Sequence, residues 1–121
     1  PLVFNKAFYN WVKDNFEIKE GEIISIDGKY FRGTASDGNT TSGPRKILGT
    51  VNAWASKAGV TLAQKKTDYN KSSEMNIFKD LIDILDVKNC VVTMDAAGYY
   101  ASTVNAVIDG EGDFCVGLKK N

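Results

Sequence analysis

An unbroken apolar run, Cys90-Val91-Val92-Thr93-Met94, lies between two segments patterned as helices, and it restricts the fold more than any other feature. A short run of this type is a strand buried on both faces, and helical crossovers place it parallel to its neighbours. The preceding helix, near 74–85, lines up Met75, Phe78, Leu81, Ile82 and Leu85 on one face. Ser73 is its expected N-cap, with Glu74 in the first turn where the helix dipole favours an acid. The following helix, near 98–109, uses Tyr100, Val104, Val107 and Ile108, and a strand over 113–118 closes the chain. Upstream, residues 22–27, 46–56 and 60–67 read as strands, the last two joined as a hairpin by Lys57-Ala58-Gly59. Residues 33–44, almost all Gly, Ser, Thr, Asn and Asp, read as a flexible loop. An amphipathic helix over 3–16 carries Val3, Phe4, Phe8, Trp11, Val12 and Phe16. The order is helix, three strands, helix, strand, helix, strand. That is an α/β chain whose mixed sheet joins an antiparallel meander to parallel strands, with helices on its faces. Trp11, Trp54 and the phenylalanines are expected in its core.

At 121 residues and 13.2 kDa the chain makes one ordinary domain. It has no histidine, which excludes Ser-His-Asp triads, Cys-His dyads and His-ligated zinc or haem. The chemistry left is that of carboxylates, lysines, hydroxyls and any metal that carboxylates hold. Fifteen basic residues balance fifteen acidic ones, so the whole molecule carries no charge that would draw it to nucleic acid or an anionic membrane. Cys90 and Cys115 have neither metal-site spacing nor a disulfide framework, and both are expected as small buried hydrophobes. No apolar run reaches membrane-spanning length and no signal-peptide pattern opens the chain, so a cytoplasmic location is expected. Opening on Pro1 and closing on Asn121, the sequence reads as a segment of something longer.

Two acids stand out by what precedes them. Asp27 follows Ile23-Ile24-Ser25-Ile26, and Asp95 follows the run that ends at Met94. In open α/β sheets ligands bind beyond the carboxyl ends of the strands. On parallel neighbours about 4.8 Å apart, both carboxylates would emerge at one edge. Two carboxylates that close repel, and a divalent cation relieves the repulsion; oxygen ligands suit Mg²⁺ or Mn²⁺. The plainer explanation stands beside this one: Asp27-Gly28 is also an ordinary turn, and Asp95 could cap the next helix. Lys29 and Arg32 could meet phosphate or simply be solvated. Lys65-Lys66 reads as solvated edge charge.

The ordered set Ile26-Asp27-Gly28-Lys29, Arg32-Gly33, Ala53-Trp54-Ala55, Lys71-Ser72-Ser73-Glu74, Thr93-Met94-Asp95-Ala96-Ala97-Gly98 and Leu118-Lys119-Lys120-Asn121 resembles the DDE transposases of the ISAs1 insertion-sequence family, also called H-repeat-associated proteins. The likeness runs over about residues 20–121. It implies an RNase H-like fold, with Asp27 and Asp95 as the first two catalytic, metal-holding acids and a two-metal Mg²⁺ or Mn²⁺ site in the full-length enzyme. The third acid of that family, a Glu, lies beyond the motif at Asn121. The implied division is an N-terminal helical segment (1–20) before a partial catalytic domain truncated at its C-terminus (21–121). The implied activity of the whole protein is metal-dependent cleavage and transfer of DNA strands at transposon ends, with this segment inactive alone. Lys29, Arg32 and Lys119 are the candidate DNA contacts. The alternative is a decayed, non-enzymatic remnant that folds and self-associates through an uncovered sheet surface.

Overall fold

The computed structural model describes residues 2–30, 48–68, 71–96 and 100–117. In chain order the elements are α1 (Leu2–Asn15), β1 (Ile23–Tyr30), β2 (Leu48–Ala55), β3 (Val60–Asp68), α2 (Lys71–Ile84), β4 (Val91–Met94), α3 (Ala101–Asp109) and β5 (Asp113–Val116). The sheet runs β3-β2-β1-β4-β5. Pairing is antiparallel within the meander of β1, β2 and β3, and parallel from β1 to β4 and from β4 to β5. This is the expected RNase H-like arrangement, with β1 at the junction of its antiparallel and parallel halves.

Alternation along the strands sets the layers. Ile24, Ile26, Val51, Ala53, Ala55, Val92 and Met94 point to one face and are buried with Phe78, Leu81, Ile82 and Val107 of the helices. Burying each large aliphatic side chain stabilises the fold by roughly 1.5–3 kcal/mol. α1 adds Tyr9 and Val12 to the same core, and Asn5 Oδ1 accepts a hydrogen bond from the Gln64 backbone of β3. A salt bridge of 2.6 Å from Lys65 to Asp80 ties β3 to α2. Since both groups are partly exposed, it contributes about 0.5 kcal/mol.

All three helices form one layer, α1 against α2 and α2 against α3, so helices do not cover both faces as the sequence suggested. β4 is accordingly buried on one side only: Val92 and Met94 are buried, Val91 and Thr93 half-buried. For the same reason Trp54, on the uncovered side of β2, is 44% exposed rather than in the core. Trp11 is 54% exposed, and Phe4, Phe16 and Phe114 are also exposed, whereas Phe78 is buried. The aromatics on α1 and just after it pack on one another: Phe4 stacks on the half-buried Phe8, Phe8 on Trp11, and Trp11 meets Phe16 edge-on. Ile108, expected on the apolar face of its helix, is exposed. The second helix begins at Lys71, so Ser73 lies inside it and is not its cap. The expected loop over 33–44 falls outside the described residues.

Two glycines are fixed by geometry. Gly59 closes the β2–β3 turn at φ +72°, a conformation with little cost only for glycine. Gly112 lies so close to the Val87 carbonyl that an added Cβ would sit 2.7 Å from that oxygen, which holds β5 against the loop before β4.

The cysteines differ from expectation and from each other. Cys90 is buried as expected, but Cys115 on the edge strand β5 is exposed. Burial pushes the Cys90 thiol above its ordinary value, and the negative charge of Asp86 adds to the rise. The Tyr9 hydroxyl is raised too, first by desolvation, although the Asp86 backbone N–H that it accepts pulls the other way. Both groups favour their neutral forms when folded. The stability they contribute is therefore complete below the ordinary thiol value, about pH 8.5, and is lost as pH rises through the raised folded values. At neutral pH a disulfide-exchange reagent is expected to label Cys115 promptly and Cys90 only after denaturation. Equal rates for both thiols in the native chain would contradict this placement.

Candidate active site

The acids sit where β1 outlasts β4. The last parallel rung joins Ser25 to Thr93. Carried two residues past that rung, the same register would bring Asp27 level with Asp95, just past the end of β4. Asp27 does not end its strand in a turn, as Asp27-Gly28 suggested. β1 continues to Tyr30 because β2 stays paired with it, Asp27 opposite Asn52 and Gly28 opposite Val51. Its partner on the other side, β4, ends at Met94.

Alternation puts Asp27 and Asp95 on the face away from the helices, with Ser25 and Thr93 beneath them, and both acids are exposed. Neighbouring strands lie about 4.8 Å apart, so the two carboxylates start from backbones one strand spacing apart. The rung beneath is fixed by Thr93 Oγ1 donating to Ser25 Oγ at 3.0 Å, with Ser56 Oγ 3.4 Å from Ser25 Oγ. On the far side of Asp95 the next residue level with it is Gly117, whose N–H donates to the Met94 carbonyl. A Cβ at Gly117 would meet nothing within 4 Å.

The donor set suits a divalent cation of the Mg²⁺ or Mn²⁺ kind, since both side chains are exposed carboxylates with hard oxygen donors. Among the described residues no group of three or more Asp, Glu, Cys or His side chains could hold a metal, so further ligands to an ion here would be water, substrate or groups from elsewhere in the protein. Lys29, two residues beyond Asp27 on the same face, is exposed. Arg32 and Lys119 lie outside the described residues, as does the side chain of Glu74.

Sequence reasoning missed three side chains. Asn52 is opposite Asp27, and Gln64 is opposite Asn52, so two amides continue the row of acids across the meander. Their signal was the alternation Thr50, Asn52, Trp54, legible only once the hairpin register is known. Glu22, just before β1, is 1% exposed. Its Oε1 accepts the backbone N–H of Ile23 (2.9 Å) and Lys57 (2.7 Å), and its Oε2 that of Ala58 (3.0 Å). Glu22 therefore fixes the β2–β3 turn to the base of the strand that carries Asp27.

The fold and the acid pair define an RNase H-like α/β chain with paired carboxylates at the carboxyl end of its central parallel strands. No family model matches the chain. It is 34% identical over 120 residues to "Putative transposase YncI" of Escherichia coli O157:H7, covering 99% of this chain and 30% of that protein. It is 28% identical over 119 residues to "H repeat-associated putative transposase YhhI" of Escherichia coli strain K12, covering 98% of this chain and 30% of the relative. The chain is thus a homologue of the H repeat-associated proteins that the sequence motifs resembled, and it spans under half the length of these relatives. Among solved structures, a chain of the simian T-cell lymphotropic virus intasome in complex with PP2A regulatory subunit B56 gamma matches with a TM-score of 0.55 at 12% identity. That match covers 84% of this chain and 36% of the other, and it shows a shared fold. Among the described residues no helix is long and apolar enough to cross a membrane.

Proposed function

We propose that the chain is part of the catalytic domain of a DDE transposase, with Asp27 and Asp95 as two of the acids that hold its divalent cations. Residues 21–121 would carry this domain, and 1–20 an appended helix that shares its core. The observation that carries the reading is the parallel β1–β4 register, which, carried two residues past its last rung, would set two acids 68 positions apart in sequence side by side at the carboxyl ends of the central strands. The transposase homologues support the same assignment. In the whole protein the reaction would be cleavage of a DNA phosphodiester followed by strand transfer to a new phosphate. Bound Mg²⁺ or Mn²⁺ would polarise the phosphate and make the attacking oxygen a better nucleophile. The chain's own contribution is positional: the Ser25–Thr93 rung and the β2 pairing hold both carboxylates level, and no His or protein nucleophile is required.

A second reading has its own observation. Ile23 and Trp54 are exposed on the uncovered face of the sheet, an apolar surface through which a non-enzymatic remnant could self-associate. One experiment separates the two. Calorimetric titration of the chain with Mn²⁺ is expected to show binding that disappears in the Asp27→Ala, Asp95→Ala double variant. Binding that is the same in both proteins rejects the site. Absent binding together with a dimer in sedimentation equilibrium supports the remnant.

A further inference from the structure

The row next to the acids on the uncovered face has a composition that the acid site does not explain. β1, β2 and β3 are in register there, with Lys29 opposite Thr50 and Thr50 opposite Lys66. All three share a face with Asp27. Val51 and Lys65, which alternate with them, point to the helices: Val51 is fully buried and Lys65 reaches Asp80 of α2. Lys66 thus parts from Lys65, beside which it first read as undifferentiated edge charge. Lys65, Lys79 and Lys88 are paired with Asp80, Asp83 and Glu111, whereas neither Lys29 nor Lys66 has an ion pair among the described residues. Both are exposed.

The geometry points to a phosphate-binding row, Lys29–Thr50–Lys66, that holds the backbone of a DNA strand beside the acid pair. This rests on the transposase reading and deepens it by naming where the substrate's backbone lies. Two strand spacings separate Lys29 from Lys66, about 10 Å, or roughly three nucleotides at 3.4 Å of axial rise each. The row lies two residues from the acids, about 6.6 Å along the strand. A duplex or a single strand crossing the sheet would present one phosphate to the acid site and others to the lysines. Thr50 offers a hydroxyl donor between them. In the acid row itself, Asn52 and Gln64 offer amide donors, which can bond phosphate oxygens without a charge that would pair with Asp27 and close the site. The net charge of zero does not oppose this, because charge is distributed unevenly: Lys65, Lys79 and Lys88 are held by Asp80, Asp83 and Glu111, while Lys29 and Lys66 lie on the face of the acids.

The test is DNA affinity of the 121-residue chain in Mn²⁺, measured by anisotropy of a short fluorescein-labelled duplex as salt is raised. Lys29→Gln, Lys66→Gln is expected to weaken binding at every salt concentration. It should lower the slope of log K against log salt by about 1.8, roughly 0.9 for each lost phosphate contact. Lys79→Gln, Lys88→Gln, which removes two lysines already paired with carboxylates, is the charge-matched control and should leave the slope as it was. Equal effects from both pairs, no effect from either, or no DNA binding by the unaltered chain overturns the proposal. If Asp27- and Asp95-dependent Mn²⁺ binding survives that outcome, only the lysine row has failed; if it is absent too, the site reading has failed as well.

Discussion

Glu22→Ala is expected to lower the unfolding free energy of the chain by about 3–5 kcal/mol, the largest effect of any single substitution proposed for it. The side chain is almost fully buried, and its carboxylate is the hydrogen-bond partner of three backbone N–H groups, those of Ile23, Lys57 and Ala58. Truncation would leave all three donors without that partner, and an N–H to carboxylate bond contributes roughly 1.5–3 kcal/mol. The position also joins three parts of the fold. The carbonyl of Glu22 accepts from Val91 at the start of β4, its side chain caps the β2–β3 turn, and β1 begins at the next residue. Glu22→Gln keeps one acceptor oxygen and most of the volume, so its cost should be smaller, about 1–3 kcal/mol. Urea unfolding followed by far-ultraviolet circular dichroism reads both, provided the slope with denaturant is unchanged. With total stability on the order of 5–15 kcal/mol, the alanine variant could already be partly unfolded without denaturant. Values for both variants within about 0.5 kcal/mol of the parent, the usual range for surface substitutions, would show that Glu22 is not an anchor.

Glu22 also marks the limit of what was legible. A glutamate before an apolar run looks like any solvated residue at a strand start, because its partners are 35 and 36 positions away on a hairpin turn. The element order could be read because each element carries its own period: 3.6 residues for Phe78, Leu81, Ile82 and Leu85, and 2 for Ile24 and Ile26. The acid pair could be found because each acid closes an apolar run, and a β-α-β connection makes those runs parallel. Three things escaped for one physical reason, that periodicity gives the direction of a side chain but not what lies opposite. The sheet was expected to be covered on both faces, which put Trp54 in the core; the helices form one layer, and Trp54 is exposed. Lys65 and Lys66 looked equivalent, yet one faces α2 and the other the side of the acids. Asn52 looked like any polar strand residue until the register placed it opposite Asp27.

The second large effect is expected on the metal dependence of stability. If the acids hold Mn²⁺ in the folded chain and not in the unfolded one, ion at about a hundred times its dissociation constant adds roughly 2.7 kcal/mol. For a domain of this size that raises the thermal midpoint by about 10 °C. The two acids should differ in how much of this gain they control. Asp27 lies within a strand still paired on its β2 side, two residues past the last rung to β4 on the other. It is the carboxylate on the strand that joins the antiparallel and parallel halves of the sheet. Asp95 stands just past the end of β4. Asp27→Asn should therefore remove the Mn²⁺-induced rise entirely, and Asp95→Asn should reduce it while leaving a measurable part. Asp27→Asn changes an exposed side chain away from the core, so its midpoint without metal should stay within about 2 °C of the parent, the usual range for surface changes. Differential scanning calorimetry with and without Mn²⁺ measures all six values. A full rise retained in Asp27→Asn would place the ion elsewhere. A loss of midpoint in Asp27→Asn without metal would make that acid structural, since a ligand role predicts a change only when the ion is present.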